Sequence, residues 1–496
     1  MTHRTHGRRV PAPVGAALVV LAALMLAACS GGSSTRPKAA MNDREAHTQS
    51  RIETIRDAWP AVERGDADAG VTRENLKRVA WSRSTFHTVR IAAIEELIRD
   101  EKNDADTRTM LGLMLPTETD WVVVRFVCDQ ASKRGWVELA PSLVRSWSRP
   151  VHEPPDDQRP ERAALASLYP QRTPFESVFA VFAGETTGRP LGERERRDAW
   201  GLLRRIDPDS DRVRDLLTGV GTTQVADDPF LEALVAGARD LGAVPDTAEQ
   251  LSWLSRLREP SKAQFWQEAT RAIAALSPEQ RAGLELRHAA VIRWASANRS
   301  EWVGRSREEL LSDVDARLSG RRHYSRVRES PTGMPDDLLR HWRTKLAWAD
   351  ALTILVALDA MQDQGVVAAL FEQADIDHTD RSTEHGGILD AAPGGGFVAR
   401  HFPPRPTQRV SDQVFIASID MIETGDTGLF HYHFHANSHG NRDYAGPSRE
   451  DITAARNLGR SSLVFSFISK NTLNADYYQP DGAKVDLGEI TRPNPK

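Results

Sequence analysis

Cysteine is nearly absent. Cys29 and Cys128 are the only two in 496 residues, so no disulfide framework can hold the fold and stability has to come from packing. Cys128, inside the apolar run Val122-Val123-Val124-Arg125-Phe126-Val127-Cys128, reads as a small buried hydrophobe. Basic runs are missing beyond the first nine residues, and the net charge is −5, which excludes nucleic acid as an expected partner. Nucleotide signatures are missing too: there is no Walker loop, and Gly394-Gly395-Gly396 lacks the helix a dinucleotide fingerprint needs. A nucleophile elbow is also absent.

What is present begins at the N-terminus. Arg4, Arg8 and Arg9 precede an apolar run, Val14 to Leu26, that is short for a membrane span. It ends in Leu26-Ala27-Ala28-Cys29, which resembles the lipobox of bacterial lipoproteins. That resemblance implies a signal peptide over 1–28, cleavage before Cys29, and lipid on Cys29 anchoring an exported protein to the cell envelope. Ser30 in place of Asp leans towards the outer membrane. Losing the leader removes three arginines and no acid, which takes the formal charge from −5 to −8. Residues 29–49, rich in Gly, Ser, Lys and Asn, read as a flexible tether.

From 50 to 361 the apolar residues recur at spacings of three and four, as in Ile91, Ile94, Leu97 and Ile98, so an α-helical region is expected. Helical segments are predicted at 119–134, 191–205, 227–241, 260–275, 284–297 and 335–361. Val89-Arg90-x-x-Ala93 and Val124-Arg125-x-x-Cys128 lie 35 residues apart and resemble the Val-Arg-x-x-Ala helix of HEAT repeats. An irregular HEAT-like solenoid with a protein- or peptide-binding surface follows from that resemblance. Residues 362–496 are expected to form a second domain that opens with a helix over 366–374. After Asp380 the texture changes: Gly, Pro and β-branched residues rise, and strands are expected at 384–389, 396–401, 413–420, 428–435, 462–469 and 483–487.

The densest chemistry lies in this last region. Phe430-His431-Tyr432-His433-Phe434-His435 alternates aromatic and imidazole. On a strand, the rings would line one face and the three histidines the other. Imidazoles at i and i+2 have Cα atoms only about 6.6 Å apart and can converge on one metal. His431/His433 and His433/His435 satisfy this spacing equally. Ser448-x-x-Asp451 follows, both a capping-box pattern and a source of a first-turn carboxylate. Upstream lies Thr383-Glu384-His385-Gly386-Gly387.

In that order, Glu, His-x-His and Ser-x-x-Asp, the residues resemble the JAMM (MPN/JAB) metalloprotease motif. Ala436 stands where that family has proline, and the stretch 436–447 is longer than the family's. The resemblance implies zinc held by His433, His435 and Asp451, Glu384 as the general base, and Ser448 as oxyanion helper. Other His-x-His chemistries fit less well. A cupin needs a Glu soon after the second His, and a TIM-barrel amidohydrolase needs far more than the 61 residues that follow His435.

The expected protein is thus a multidomain chain, an all-α HEAT-like solenoid followed by a smaller α+β JAMM-like domain. Its expected function is a zinc-dependent envelope peptidase or isopeptidase. The rival reading is a lipid-anchored helical scaffold with an inactive JAMM-like domain.

Overall fold

A computed structural model describes residues 41–493, apart from 44, 186–191, 222–224, 226–227 and 325–336. Cys29, the expected leader before it and the start of the expected tether lie outside the described residues. Contacts divide the chain into two compact units, one ending at Met110 and the other beginning at Leu111.

The first unit is helical. Helix Ala69–Trp81 starts where Asp68 accepts the Val71 N–H at 2.8 Å, satisfying one of the free amides of the first turn. Helix His87–Arg99 buries Val89, Ala93 and Leu97 at the four-residue spacing visible in the sequence.

The second unit combines many helices with one sheet. The helix expected over 119–134 spans Trp121–Arg134, opened by Asp120 on the Val122 amide and closed by Gly135 in the left-handed conformation at φ 65°. Cys128 is buried and free. Helix Trp348–Ala360 is enclosed almost all round. Helix Gln364–Thr379 follows it, opened by Asp363 on the amides of Gly365 and Val366. Among the described residues, no single helix is long and apolar enough to cross a membrane.

Six strands form the sheet: β1 (Gly386–Ala391), β2 (Phe397–His401), β3 (Phe430–His435), β4 (Ser462–Ser469), β5 (Thr472–Tyr478) and β6 (Lys484–Thr491). Their order is β2-β1-β3-β4-β5-β6. Only β3 and β4 run parallel, and helix Arg449–Leu458 makes the crossover between them. One sheet face is apolar: Tyr432 and Phe434 pack against Phe465 at ring separations of 5.9 and 5.8 Å. The other face carries the imidazoles, and helix Arg449–Leu458 covers part of it by packing Ala455 on Val464 and Tyr478.

Two strand expectations need correction. The segment 413–420 is not a strand; Val414 O accepts the Glu384 N–H at 3.3 Å, and Ser418 then caps helix Ile419–Thr424. β5 forms where no strand is expected, because Asn474 and Asp476 look like turn residues. They are instead buried on the polar face of the sheet.

Buried polar contacts join helices and sheet within this unit. Arg287 donates through Nη1 to Ser461 Oγ at 3.1 Å and Tyr477 Oη at 3.2 Å, and through Nη2 to Asp350 at 2.7 Å. Asp426, fully buried, accepts from Arg256, Lys262 and Arg460, each at 2.8 Å.

Candidate metal centre

All six residues of β3 are buried, including His431, His433 and His435. The imidazole row is therefore not a solvated strand face. Three polar rings inside a protein need partners, because buried groups without hydrogen bonds are costly.

Two of them find each other. His433 Nε2 and His435 Nε2 lie 3.2 Å apart. The Asp451 carboxylate faces both, with Oδ1 at 3.2 Å from His433 Nε2 and Oδ2 at 3.5 Å from His435 Nε2. Glu384 Oε1 lies 4.0 Å from His435 Nε2. Glu384, His433 and His435 each offer a donor atom within 4.8 Å of the others, and together they could hold a metal ion. The structure thus unites the four residues Glu384, His433, His435 and Asp451. Of the two possible imidazole pairs, it brings His433 and His435 together.

His431 goes elsewhere. It is buried beside Gly425, and its Nε2 has no hydrogen-bond partner. Burial, with the Arg460 charge behind it, pushes its pKa well down, so it is a neutral ring.

Local chemistry explains the placement. β1 enters as a central strand between β2 and β3, and it does so at Gly386-Gly387. A Cβ on Gly386 would collide with the Tyr432 carbonyl and the Phe415 ring, and one on Gly387 with the Arg400 carbonyl. Two glycines let the strand bring Glu384 close to the imidazoles. Asp451 sits in the first turn of helix Arg449–Leu458. Ser448 Oγ accepts the Asp451 N–H at 3.1 Å, and Asp451 Oδ2 accepts the Ser448 N–H at 2.7 Å, a reciprocal capping box. The cap holds the Asp451 carboxylate in one orientation. Burial opposes ionisation of Asp451, but His433 and His435 outweigh it and hold the carboxyl well below its usual range.

The donor set fits a metal by two tests. A tetrahedral ion with bonds of about 2.0–2.1 Å separates its donor atoms by about 3.3–3.4 Å, close to the 3.2 Å between the two Nε2 atoms and to the 3.2 and 3.5 Å from each of them to its own Asp451 oxygen. Ligating histidines also give their second nitrogen to an acceptor that fixes the ring. His435 Nδ1 lies 3.3 Å from Tyr444 O, an acceptor that can take the Nδ1 proton and leave Nε2 available to a metal. His433 Nδ1 lies 3.5 Å from Tyr478 Oη, and Phe415 stacks on the His433 ring at 5.5 Å.

The sequence reading missed two supporting residues. Asp377, near the end of helix Gln364–Thr379, accepts the His385 N–H at 2.6 Å and the Ala436 N–H at 3.2 Å. His378 Nδ1 meets Ala436 O at 2.9 Å. One helix end thus clamps the residue after Glu384 to the residue after His435. Burial, with the Glu384 charge adding to it, pushes Asp377 up to about 8. A signal existed: Asp377 continues the spacing of Leu370 and Ala374, which places an acid on the buried face of its helix.

His385 belongs to a separate hydrogen-bond network, with Nε2 2.9 Å from Asp380 Oδ2 and Nδ1 2.9 Å from His401 Nε2.

No protein-family model matches the chain, and no match to it was found among curated proteins or solved structures.

Proposed function

We propose that the C-terminal part of this chain is a JAMM-like zinc hydrolase that cleaves peptide or isopeptide bonds in envelope material. On this reading Cys29 carries the lipid that anchors the chain, and the HEAT-like helical region binds the substrate protein or a partner. The observation that carries the chemistry is the paired Nε2 atoms at 3.2 Å with Asp451 opposite and Glu384 at 4.0 Å from His435. The nitrogens that meet the Asp451 carboxylate are both imidazole Nε2 atoms, groups that ligate a metal when neutral.

His433, His435 and Asp451 would hold the ion, which when bound supplies Lewis acidity to a scissile carbonyl and lowers the pKa of water. Glu384, held beside the centre but not needed as a ligand, takes a proton from the attacking water and delivers it to the leaving amine. Ser448 has its hydroxyl oxygen occupied by the Asp451 amide, which leaves its O–H free to donate to a developing oxyanion. Asp377 and His378 keep the two strand ends, and so Glu384 and His435, at a constant separation.

The test is elemental analysis of the purified full chain, combined with cleavage of envelope extracts. One zinc per chain is expected. Glu384→Gln preserves size and hydrogen bonding but cannot take the proton, so it should retain zinc and lose hydrolysis by roughly 10²–10⁴-fold. Loss of zinc in that variant would make Glu384 a ligand instead. A zinc-loaded wild type that cleaves nothing would leave the scaffold reading standing.

A further inference from the structure

The imidazole face of the sheet continues sideways into a second cluster of buried polar side chains. His435 pairs with Ser466 on β4, and Ser466 pairs with Asn474 on β5. His433 pairs with Val464, and Val464 with Asp476. Directly paired residues share a face, so Ser466, Asn474 and Asp476 stand beside the metal centre, one or two strands away at about 4.8 Å per strand.

Ser466, Asn474 and Asp476 are each 0 % exposed. Asn474 Nδ2 donates to Asp476 Oδ2 at 2.8 Å, and that is where the pairing stops. Ser466 Oγ, Asn474 Oδ1 and Asp476 Oδ1 have no hydrogen-bond partner. The surroundings add negative charge. Asp486 and Asp337 both act on Asp476, each more strongly than the basic Lys484 does. The Asp486 oxygens are already taken by the amides of Tyr324 and Gly488, each at 2.7 Å. The roof has no side chain: a Cβ on Gly446 would sit 3.5 Å from Asp476 Oδ1 and 3.8 Å from Asp337 Oδ2.

Two unmet buried acceptors, Asn474 Oδ1 and Asp476 Oδ1, and the unmet Ser466 hydroxyl, beside the carboxylates of Asp486 and Asp337, favour a positive occupant. Full burial excludes the side chain of another molecule and leaves a water or a small ion, of which the neighbouring carboxylates favour a cation. The oxygen-only donor set, with no imidazole or thiolate, suits a hard cation and not a transition metal. We propose that Asp476, Asn474 and Ser466 form a second site, for a hard divalent cation of the calcium class, beside and distinct from the histidine centre. The site does not rest on the hydrolase reading. In this arrangement the cation would tie β4 to β5 next to the strand that carries His435.

The test uses the purified full chain, with calcium as the probe. Equilibrium dialysis should find one calcium per chain in addition to the transition metal, and the melting temperature should rise with calcium concentration. Asp476→Asn should keep the transition metal while losing both the calcium and the calcium-dependent rise. Ser466→Ala, a milder change, should fold normally and bind calcium about 10-fold more weakly or worse. Failure of the wild type to bind calcium would mean the cluster holds water only. Equal binding by Asp476→Asn would place the ion elsewhere, and unchanged affinity in Ser466→Ala would overturn the site if the first variant does not fold.

Discussion

The larger unit buries two dense clusters of ionisable groups, built in opposite ways. Around Arg287 each charge meets its opposite. The guanidinium donates to Asp350 at 2.7 Å and Glu285 at 3.0 Å, and His288 Nε2 lies 3.0 Å from the same Asp350 oxygen. Burial disfavours the charge on Asp350, yet Arg287 and His288 hold its carboxyl far below the usual range. At the histidine centre two imidazole nitrogens and two carboxylates converge instead, all of them able to present lone pairs. The first cluster is complete and works as a structural fastener between helices and sheet. The second could hold a metal ion. Burial and density of charge are alike in the two, so only the signs of the partners separate structure from function.

The largest expected effect falls on the histidine centre. His433→Ala or His435→Ala should take bound metal from one equivalent to none, read by elemental analysis of folded protein, while His431→Ala leaves it at one. Loss in His431→Ala with retention in His433→Ala would shift the ligand pair one step back along β3.

Next comes the fastener. Arg287→Met strands Glu285 and Asp350 without their cation and should cost about 3–5 kcal/mol in urea unfolding. Metal stoichiometry should stay unchanged. If metal falls together with stability, the two clusters are coupled and the contrast fails.

A smaller effect is expected where structure serves the site. Asp377→Ala leaves the His385 and Ala436 amides buried without an acceptor, which should cost about 1–3 kcal/mol. Metal affinity should drop roughly 10–100-fold, as when an outer-shell partner is lost. A stability loss without a change in metal affinity would make Asp377 purely architectural.

The smallest effect concerns pH. Burial, then the His385 charge, lowers His401 from 6.5 to about 4. Between those values the unfolded chain binds the proton and the folded chain does not, so stability should fall as pH drops from 6.5 to about 4. His401→Gln should flatten melting temperature across that window. An equally steep fall in the variant would assign the acid sensitivity to other groups.

The centre was legible to the extent that it obeyed local rules. Period-two alternation placed Phe430, Tyr432 and Phe434 opposite three histidines, and Ser448-x-x-Asp451 announced a helix start. The same rules failed at β5. There Asn474 and Asp476 take turn-like residue types into a buried strand, and only the neighbouring strands make that position polar. They failed again over 413–420, whose apolar residues read as a strand but run as a connection.

By itself the sequence determined the helical texture up to Thr379, the lack of disulfides, the two-faced strand and the types of group available to a metal. These follow from spacing and side-chain chemistry, which are properties of short windows of chain. The tertiary structure decided which two imidazoles meet, that Asp451 reaches both, that Asp377 clamps the strand ends, and that Asp476 is left with an unmet oxygen. Each of these depends on strand order and on a helix crossover that brings distant residues within a few ångströms. No window of sequence contains that information, because spacing along the chain sets only which face a residue occupies and not what is packed against it.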